Sequence, residues 1–581
     1  MNSQETLHAL WHSTSHILAH AVKRLYPETK LGTGPAIEEG FYYDFFRNTP
    51  FTPADLEKIA EEMKKICKEN LPFQRIEVSK EEAKQMLSEE PFKQEILSEI
   101  ENALVSFYRQ GDFSDLCSGP HIATTGEAKH FKLLSLSSSY WRADESRESM
   151  QRIYGISFFE KSDLDSFLML REEAKGRDHR TLGTKLDLFS LHPEFGAGLV
   201  YWHPKGAMVR KIIEDFWRDL HLSHGYQLLY TPHIAALGLW DTSGHTDFYR
   251  QNMYPPIVFE NHIEYQLKPM NCPFHILVYK NRLRSYRELP LRWAELGTVY
   301  RFEKDGVLHG LLRVRGFTQD DAHIFCRIGQ IEEEVISILD FVLFYLSAFG
   351  FSEYELFLST RPAKYVGSLE HWKKATSALE RALQKKGLPY SVDSGEGVFY
   401  GPKIDLKIKD SLKRTWQCST IQVDFNIPER FEMSFVNEQN TFEQPIMIHR
   451  AVMGSLERFF GILIEHYGGA FPLWLAPVQI KVLSISDRFL SYAQQVVAHF
   501  SASGLRTELD TTSESLNKRI KNAESEKIPF IVVVGGKEEE AKTVAVRKHG
   551  KGMMGVFPLE EFCSKLRIAS VSKKDFNPKE E

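Results

Sequence analysis

Two groups of residues in this chain have types and spacings that could do chemistry. The first is RWAELGTVYRFEKDGVLHGLLRVRGFTQDDAH, from Arg292 to His323. It alternates as two strands would, with Lys304-Asp305-Gly306 as the turn and Leu311 to Thr318 as the returning strand. Arg301 and Glu303 then share a face, as do Arg313 and Arg315. Such a surface suits a phosphate-rich ligand, because guanidinium pairs with phosphate at two points and stays charged. An ordinary solvated hairpin has the same pattern. The second group is His12, His16 and His20, one turn apart on one helix face, with Cys117 and His121 in DFSDLCSGPH. Histidines at i and i+4 are true neighbours. With a cysteine and a further histidine they make a plausible tetrahedral zinc set. A helix that turns polar histidines to solvent also fits. Cys272 and His275 could form another local pair, whereas Cys272, His323 and His449 are too far apart for spacing to say anything.

The elements that must position these groups can be read along the chain. Leu7 to Tyr26 reads as the helix bearing the histidines. From Lys161 the chain is helical again: Ser162 can cap, and Leu164, Phe167, Leu168 and Arg171 follow at helical spacing. Glu172 to Arg180 is dense in charge, as in an exposed connecting helix. Met208 to His221 sets Val209, Ile212, Ile213, Phe216 and Leu220 on one face, which a partner subunit or the protein's own core could cover. After Leu475, VQIKVLSI, a helix over Phe489 to Ser503, GLRTELD, a further helix and PFIVVVGG give the order βαβαβ. That order points to parallel strands with covering helices. VVVGGKEEE lacks the G-x-x-x-x-G-K-[ST] pattern of a phosphate loop.

Composition sets the limits. At 581 residues, the chain has room for roughly four domains. A hydrophobic content of 42% with 26% charged residues indicates a soluble globular protein with sizeable cores. No apolar run approaches the roughly 18 residues of a membrane span. The N-terminus, MNSQETLHALWHS, is neither basic nor apolar enough for a signal peptide. Six cysteines without a framework of spacings fit a reducing cytoplasm. With a net charge of −6, a nucleic-acid partner would need a local basic surface.

Longer motifs add a resemblance. The strand-loop-strand with Arg301 resembles motif 2 of class II aminoacyl-tRNA synthetases. HRAVMGSLERFFGIL, from His449 to Leu463, resembles motif 3, and Met208 to Pro232 resembles motif 1. KPMNCP (Lys268 to Pro273), RVRGFTQDDAHIF (Arg313 to Phe325) and MIHRA (Met447 to Ala451) look like threonyl-tRNA synthetases. So do HSTSH (His12 to His16), GFYYD (Gly40 to Asp44), DLCSGPH (Asp115 to His121) and HFK (His130 to Lys132), which are similar to the editing domain of that family. The resemblance runs from about Leu7 to Phe562.

It implies a multidomain α/β and α+β protein. An α+β editing domain would span 1–160 and a linker helix 161–180. A class II catalytic domain built on an antiparallel sheet would span 181–474. An α/β anticodon-binding domain over 475–569 and a disordered tail over 570–581 would follow. The implied enzyme is a cytoplasmic homodimer that uses ATP with Mg²⁺, L-threonine and tRNA(Thr), and no membrane. One Zn²⁺ per subunit would be held by Cys272, His323 and His449. Arg301 would hold the α-phosphate of ATP and the amino-acid carboxylate, Arg313 the outer phosphates, and Arg458 the adenine and γ-phosphate. Gln319 and Asp321 would orient threonine with Met270 and Tyr400 nearby. Gln417 and Gln422 would contact adenosine or substrate, and Glu303 the adenine amino group. In the editing domain, His12, His16, Tyr43, Asp115, Cys117, His121 and Lys132 would line a pocket that holds a hydrolytic water and no metal. Lys132 would steady developing negative charge. Glu538 and Arg547 would meet anticodon bases.

The two halves make sense together. Valine has the shape of threonine but no hydroxyl, so a site that must coordinate the hydroxyl rejects it strongly. Serine keeps the hydroxyl and lacks one methyl, a difference of only about 1–3 kcal/mol. Zinc would exclude valine, and hydrolysis in the first domain would remove serine. Two departures stand out. Most bacterial members begin with a small ubiquitin-like domain, which is expected to be missing here. The family's D-x-R-x-E appears as Asp510-Thr511-Thr512-Ser513-Glu514, so the expected arginine is Thr512. Lys518, Arg519 and Lys521 could supply phosphate contacts from that loop instead.

Overall fold

The computed structural model describes residues 3–260, 262–574 and 576. They form two compact units, one from residue 1 to 173 and the other from 174 to 581. Among the described residues no helix is long and apolar enough to cross a membrane.

In the first unit the helix Ser3–Leu25 lies on an antiparallel sheet. The strands run in the order Lys30–Leu31, Gly40–Phe46, Ser149–Phe158, His130–Tyr140. Leu10, Ile17, Leu18 and Val22 recur at helical spacing and are buried with Phe41, Phe45, Ile153 and Ile156. A second helix, Pro53–Glu69, begins with a capping box from Thr52 and Asp55, which satisfies its first free N–H groups. A smaller sheet of Gln74–Ser79, Leu104–Gln110 and Phe113–Leu116 delivers Asp115 and then the Cys117–His121 turn.

The second unit is centred on an eight-stranded sheet. Its order is Gln227–Leu228, Leu291–Tyr300, Gly316–Cys326, Ile446–Ala451, Thr415–Asp424, Lys403–Lys409, Tyr354–Ser359, Ser391–Asp393. It is antiparallel except where the two short outer strands join in parallel. The long pair Leu291–Tyr300 and Gly316–Cys326 runs in unbroken register from Leu291↔Phe325 to Tyr300↔Gly316. The returning strand therefore starts at Gly316, not at Leu311. Residues 301–315 form a long loop, because Gly310 and the bend at His309–Arg313 divert the chain from the ladder.

The helix Pro204–Ser223 buries Val209, Ile213, Trp217 and Leu220 in this unit's own core, with Ile212 and Phe216 packed at its margin. The connecting helix Lys161–Gly176 stops sooner than expected. Asp178 caps a new short helix, His179–Lys185, whose first residue is fully buried.

The last sheet has the order Thr507–Asp510, Ile480–Ser484, Phe530–Val534, Thr543–Lys548, Gly552–Pro558. Its first three strands are parallel, as the βαβαβ pattern predicts. Two antiparallel strands follow that the pattern did not anticipate. The expected tail over 570–581 does not hold at its start: the helix Leu559–Ser572 runs past residue 570, and Phe576 is buried against Phe530 and Phe562. The rest of that expectation, at 575 and 577–581, lies outside the described residues.

Candidate active sites

The large sheet brings together three residues that spacing could not connect. His323 and His449 sit opposite each other on neighbouring strands. Cys272 opens the helix Cys272–Lys280, with Pro273 in its first turn, where a missing N–H goes unnoticed. All three are buried, and their ligand atoms lie within 4.8 Å of one another. His323 Nε2 is 3.1 Å from His449 Nδ1. His449 Nε2 donates to Asp424 Oδ2 at 2.9 Å. A carboxylate behind an imidazole fixes the tautomer and leaves the other nitrogen free to accept. On the far side, His323 Nδ1 is 2.8 Å from His275 Nδ1, and His275 Nε2 donates to Glu295 Oε2 at 3.1 Å. His275 therefore stands behind a ligand position and is not paired with Cys272. Burial, then neighbouring positive charge, holds His323 well below its ordinary value, so it is a neutral donor. Burial pushes the Cys272 thiol well up. A buried thiol and two oriented imidazoles fit a divalent metal such as zinc, which would take the thiol as thiolate.

The other candidates lie around this set. Asp321 is buried, accepts from Asn271 Nδ2 at 3.1 Å, and is raised by burial. Tyr400 donates to Gln422 Oε1 at 2.6 Å. Gln422 pairs with His449 across the sheet. Gln417 is five residues earlier and would face the other way on a regular strand. A bulge at Cys418 corrects the parity, and Gln417 Nε2 donates to Asp405 Oδ1 at 2.9 Å on the face that carries Gln422. Met270 Sδ is 3.2 Å from His245 Nε2. The buried Oε1 of Gln319 has no protein partner, which leaves it an acceptor for a ligand.

The arginines stand at one end of this surface. Arg301 leaves the strand with its guanidinium 5.1 Å from the Phe317 ring, and its Nε donates to Pro269 O at 3.3 Å. Glu303 accepts from Arg313 Nε at 3.0 Å and from Nη2 at 2.9 Å. Arg458 lies in the first turn of the helix Leu456–Tyr467, whose cap Ser455 accepts from the Arg458 N–H at 3.2 Å. Its buried Nε has no protein partner. Asp320 shapes the turn before this helix by accepting from the N–H groups of Val452 and Gly454, each at 2.8 Å. Burial raises its carboxyl to about 7.

The first unit holds a separate cleft of about 810 Å³, lined by His12, His16, Lys93, Asp115 and Cys117 among others. Cys117 Sγ is 3.3 Å from His12 Nε2 and 3.3 Å from His121 Nε2. His12 Nδ1 donates to Pro120 O at 3.2 Å, so its Nε2 is an acceptor. Ser13 Oγ donates to Ala9 O, so His121 Nδ1 must donate to Ser13, and its Nε2 is an acceptor too. Two lone pairs thus face the thiol. Burial pushes that thiol up to about 11, which disfavours a thiolate nucleophile and leaves the cluster suited to holding water. Asp115 accepts from Tyr43 at 2.6 Å and lies 3.3 Å from His16 Nδ1.

His20, the third histidine of that helix, stands outside the cluster, with Nε2 2.9 Å from Asp112 and its ring stacked on Phe113. One expectation fails here. Lys132 lies on the exposed face of the strand His130–Tyr140 and does not line the cleft. The buried cation is Lys93, whose Nζ is 2.6 Å from Asp115 Oδ1.

Comparison with known proteins decides the family. Residues 257–467 match the tRNA synthetase class II core domain (G, H, P, S and T). Residues 476–568 match the anticodon binding domain, and 105–154 the threonyl and alanyl tRNA synthetase second additional domain. Threonine–tRNA ligase of Dehalococcoides mccartyi strain CBDB1 is 53% identical over 98% of this chain and 97% of that protein. The ligase of Nitrosococcus oceani is 54% identical over 99% and 89%. The chain belongs to the threonine–tRNA ligase family. A chloroplastic/mitochondrial threonine–tRNA ligase of Arabidopsis thaliana is 53% identical over 98% of this chain and 88% of its own length. The crystallised RNA binding domain of the Cryptosporidium parvum threonyl-tRNA synthetase superposes with a TM-score of 0.64 at 39% identity, over 69% of this chain and 99% of that one.

Within this threonine–tRNA ligase family chain, sequence reasoning missed Lys93, His245 and Asp424, which have no periodic or spacing signal, and it offered Cys272 as the partner of His275 where the structure gives Glu295. His245 is fully buried and held near 4 chiefly by burial, with Nε2 4.0 Å from Cys272 Sγ. Near the C-terminus, Glu538, in the short helix Gly536–Ala541, accepts from Gly535 N–H at 3.0 Å, and Arg547 lies on the strand Thr543–Lys548 with a buried Nε that has no protein partner. The turn with Thr512 is closed by Asp510, which accepts from Thr512 N–H at 2.9 Å. Arg519 is buried and donates to Ser484 O at 2.9 Å and to Asp510, so it is not a phosphate contact. Lys518 pairs with Glu514 at 2.7 Å.

The first-unit histidines carry a pH prediction. Burial holds His12, His16, His20 and His121 below their ordinary 6.5. Folded, they take up protons at lower pH than an ordinary imidazole; unfolded, they bind protons below about 6.5. The unfolded state then holds more protons, so stability falls as pH drops, by up to about 1.4 kcal/mol per histidine per pH unit. The Tm of the first unit should fall between pH 7.5 and 5.5, and less so in His121→Asn. Equal slopes in the two proteins would contradict this.

Proposed function

We infer that this chain activates threonine with ATP, transfers it to tRNA(Thr), and hydrolyses mischarged Ser-tRNA(Thr) in its first unit. The observation that carries the reading is the buried Cys272–His323–His449 set, two of its residues on neighbouring strands of the sheet whose adjoining strand leads into Arg301. Zinc held by those three residues would supply a Lewis acid for the amino group and β-hydroxyl of threonine, the feature that valine lacks. Asp321 and Gln319 would orient the amino acid, with Tyr400, Met270 and Gln422 enclosing it. Arg301 would bridge the threonine carboxylate and the α-phosphate. Arg313, Arg458, Glu303 and Gln417 would hold the rest of the nucleotide with its Mg²⁺. A carboxylate oxygen then attacks the α-phosphorus in line and pyrophosphate leaves, so positioning and charge neutralisation carry the step. The 3′-terminal ribose hydroxyl of the tRNA next attacks the acyl carbon, and AMP leaves. Glu538 and Arg547 would read the anticodon.

In the first unit, His12, Cys117 and His121 would hold the water that cleaves a seryl ester. Lys93, set by Asp115, would stabilise the oxyanion. We further propose a cytoplasmic homodimer, supported by the 81% exposed Tyr230 and 54% exposed Leu222 near the end of the Pro204–Ser223 helix. Light scattering at the mass of one chain would refute the dimer.

The test is ATP–pyrophosphate exchange with threonine, serine and valine, with zinc measured on the same sample. Strong exchange with threonine, weaker with serine, none with valine and about one zinc per chain is expected. Two zincs per chain would make the first-unit cluster a metal site. No exchange in folded, zinc-loaded protein would leave an RNA-binding relative without catalysis.

A further inference from the structure

Outside both sites, one more group of described residues has metal-ligand chemistry. Asp178, His179 and Glu465 bring their ligand atoms within 4.8 Å. Their hydrogen bonds assign a different task. His179 is fully buried. Its Nδ1 lies 2.6 Å from Glu465 Oε1, which also accepts from the His179 backbone N–H at 3.1 Å. Glu465 Oε2 is held by Arg414 Nη1 at 2.7 Å. A carboxylate only accepts, so the imidazole proton is on Nδ1. Nε2 is therefore an acceptor, and the backbone N–H of Leu311 donates to it at 3.0 Å. Both ring nitrogens are used, and Asp178 is turned to Arg180 at 2.7 Å.

Leu311 is the buried tip of the 301–315 loop, the loop that carries Glu303 and Arg313. Gly310 stands beside it with φ +51°, and a Cβ there would run into the His179 ring. The tip turns back on itself through His309 N–H to Arg313 O at 3.1 Å and Leu312 N–H to His309 O at 2.9 Å. The ends of the loop are held by Arg301 N–H to Arg315 O at 2.9 Å and Arg315 N–H to Gly198 O at 2.8 Å, and its tip by the buried Leu311 and by the bond from its N–H to an imidazole whose tautomer is set from behind.

We propose that His179, oriented by Glu465, is a positioning residue for ATP: it latches the 301–315 loop so that Arg313 and Glu303 meet the nucleotide. The proposal rests on the nucleotide role of that loop given above. His179 is fully buried with both ring nitrogens engaged, so it acts through the loop. The latch explains why a buried histidine and a glycine with positive φ occur together there.

The test uses the full chain in ATP–pyrophosphate exchange, with KM for ATP and for threonine measured separately and deuterium exchange followed over 301–315. In His179→Ala the Leu311 N–H loses its buried partner, a loss that corresponds to a factor of about ten. The KM for ATP should rise by about that factor, the KM for threonine should stay within about twofold, and the loop should exchange faster. His179→Gln, whose Oε1 can accept in place of Nε2, should recover most of the loss. Gly310→Ala strains the same contact from the loop side and should reproduce the split. A parallel rise in both KM values, or no rescue by glutamine, would reduce His179 to a packing residue. An unchanged KM for ATP in His179→Ala alongside a raised one in Arg313→Ala would overturn the latch. If Arg313→Ala itself left ATP binding unchanged, the role of the loop would fall, and the latch with it.

Discussion

Replacing His323 with alanine is expected to abolish threonine activation while leaving Ser-tRNA hydrolysis intact. His323 is buried between His275 on one side and His449 on the other. Its removal takes one of three proposed ligands, and two ligands do not hold zinc in competition with water. Zinc content should fall from about one per chain to near zero. Exchange with threonine should drop by at least about 10³-fold, equivalent to roughly 4 kcal/mol of lost stabilisation. Hydrolysis of Ser-tRNA(Thr) should be unchanged, because its residues all belong to the first unit. Equal loss of both activities would sink the two-site scheme. Retained exchange in a zinc-free variant would sink the assignment of the ligands.

The second large effect belongs to Lys93. Substituting methionine keeps an unbranched side chain one atom shorter and removes its charge. Asp115, buried and 2.6 Å from Lys93 Nζ, would lose its cationic partner while Tyr43 still donates to it. The developing oxyanion would lose the cation that Asp115 positions. Ser-tRNA hydrolysis should fall by about 10²–10³-fold, the usual cost of one preorganised donor. Threonine activation should not change, so mischarged tRNA should accumulate in an aminoacylation assay with serine. Lys132→Met is the control, since that side chain is exposed on the sheet and outside the cleft. The reverse pattern, with Lys132 essential and Lys93 dispensable, would restore the motif-based assignment and discard the geometric one.

The contrast between these lysines shows where local reasoning ends. Lys132 ends the HFK motif, and the resemblance of that motif to the family's placed it in the pocket. The tertiary structure decides otherwise, because Lys132 is exposed on its strand and lies outside the cleft lining. Lys93 sits in the helix Pro91–Glu99 amid unremarkable residues. Only the packing of that helix brings its ammonium to Asp115. The loop after Arg301 repeats the point. Alternation read Leu311 to Thr318 as a strand, yet the tip is drawn off the ladder to His179, and pairing resumes at Gly316.

The sequence by itself determined whatever depends on short-range order. The i, i+4 spacing of His12 and His16, the βαβ order after Leu475, the amphipathic Pro204–Ser223 helix and the family motifs are all legible within a window of a few turns. Tertiary structure alone decided what register and packing control. It set His323 opposite His449, put Cys272 within ligand reach of both, corrected the face of Gln417 through a bulge, chose Lys93 over Lys132 and made His179 the anchor of a distant loop. The reason is physical. A periodic pattern states which face of an element is apolar, but a one-residue change of register moves every side chain to the other face. Contacts between elements far apart in the chain are fixed by the whole fold at once.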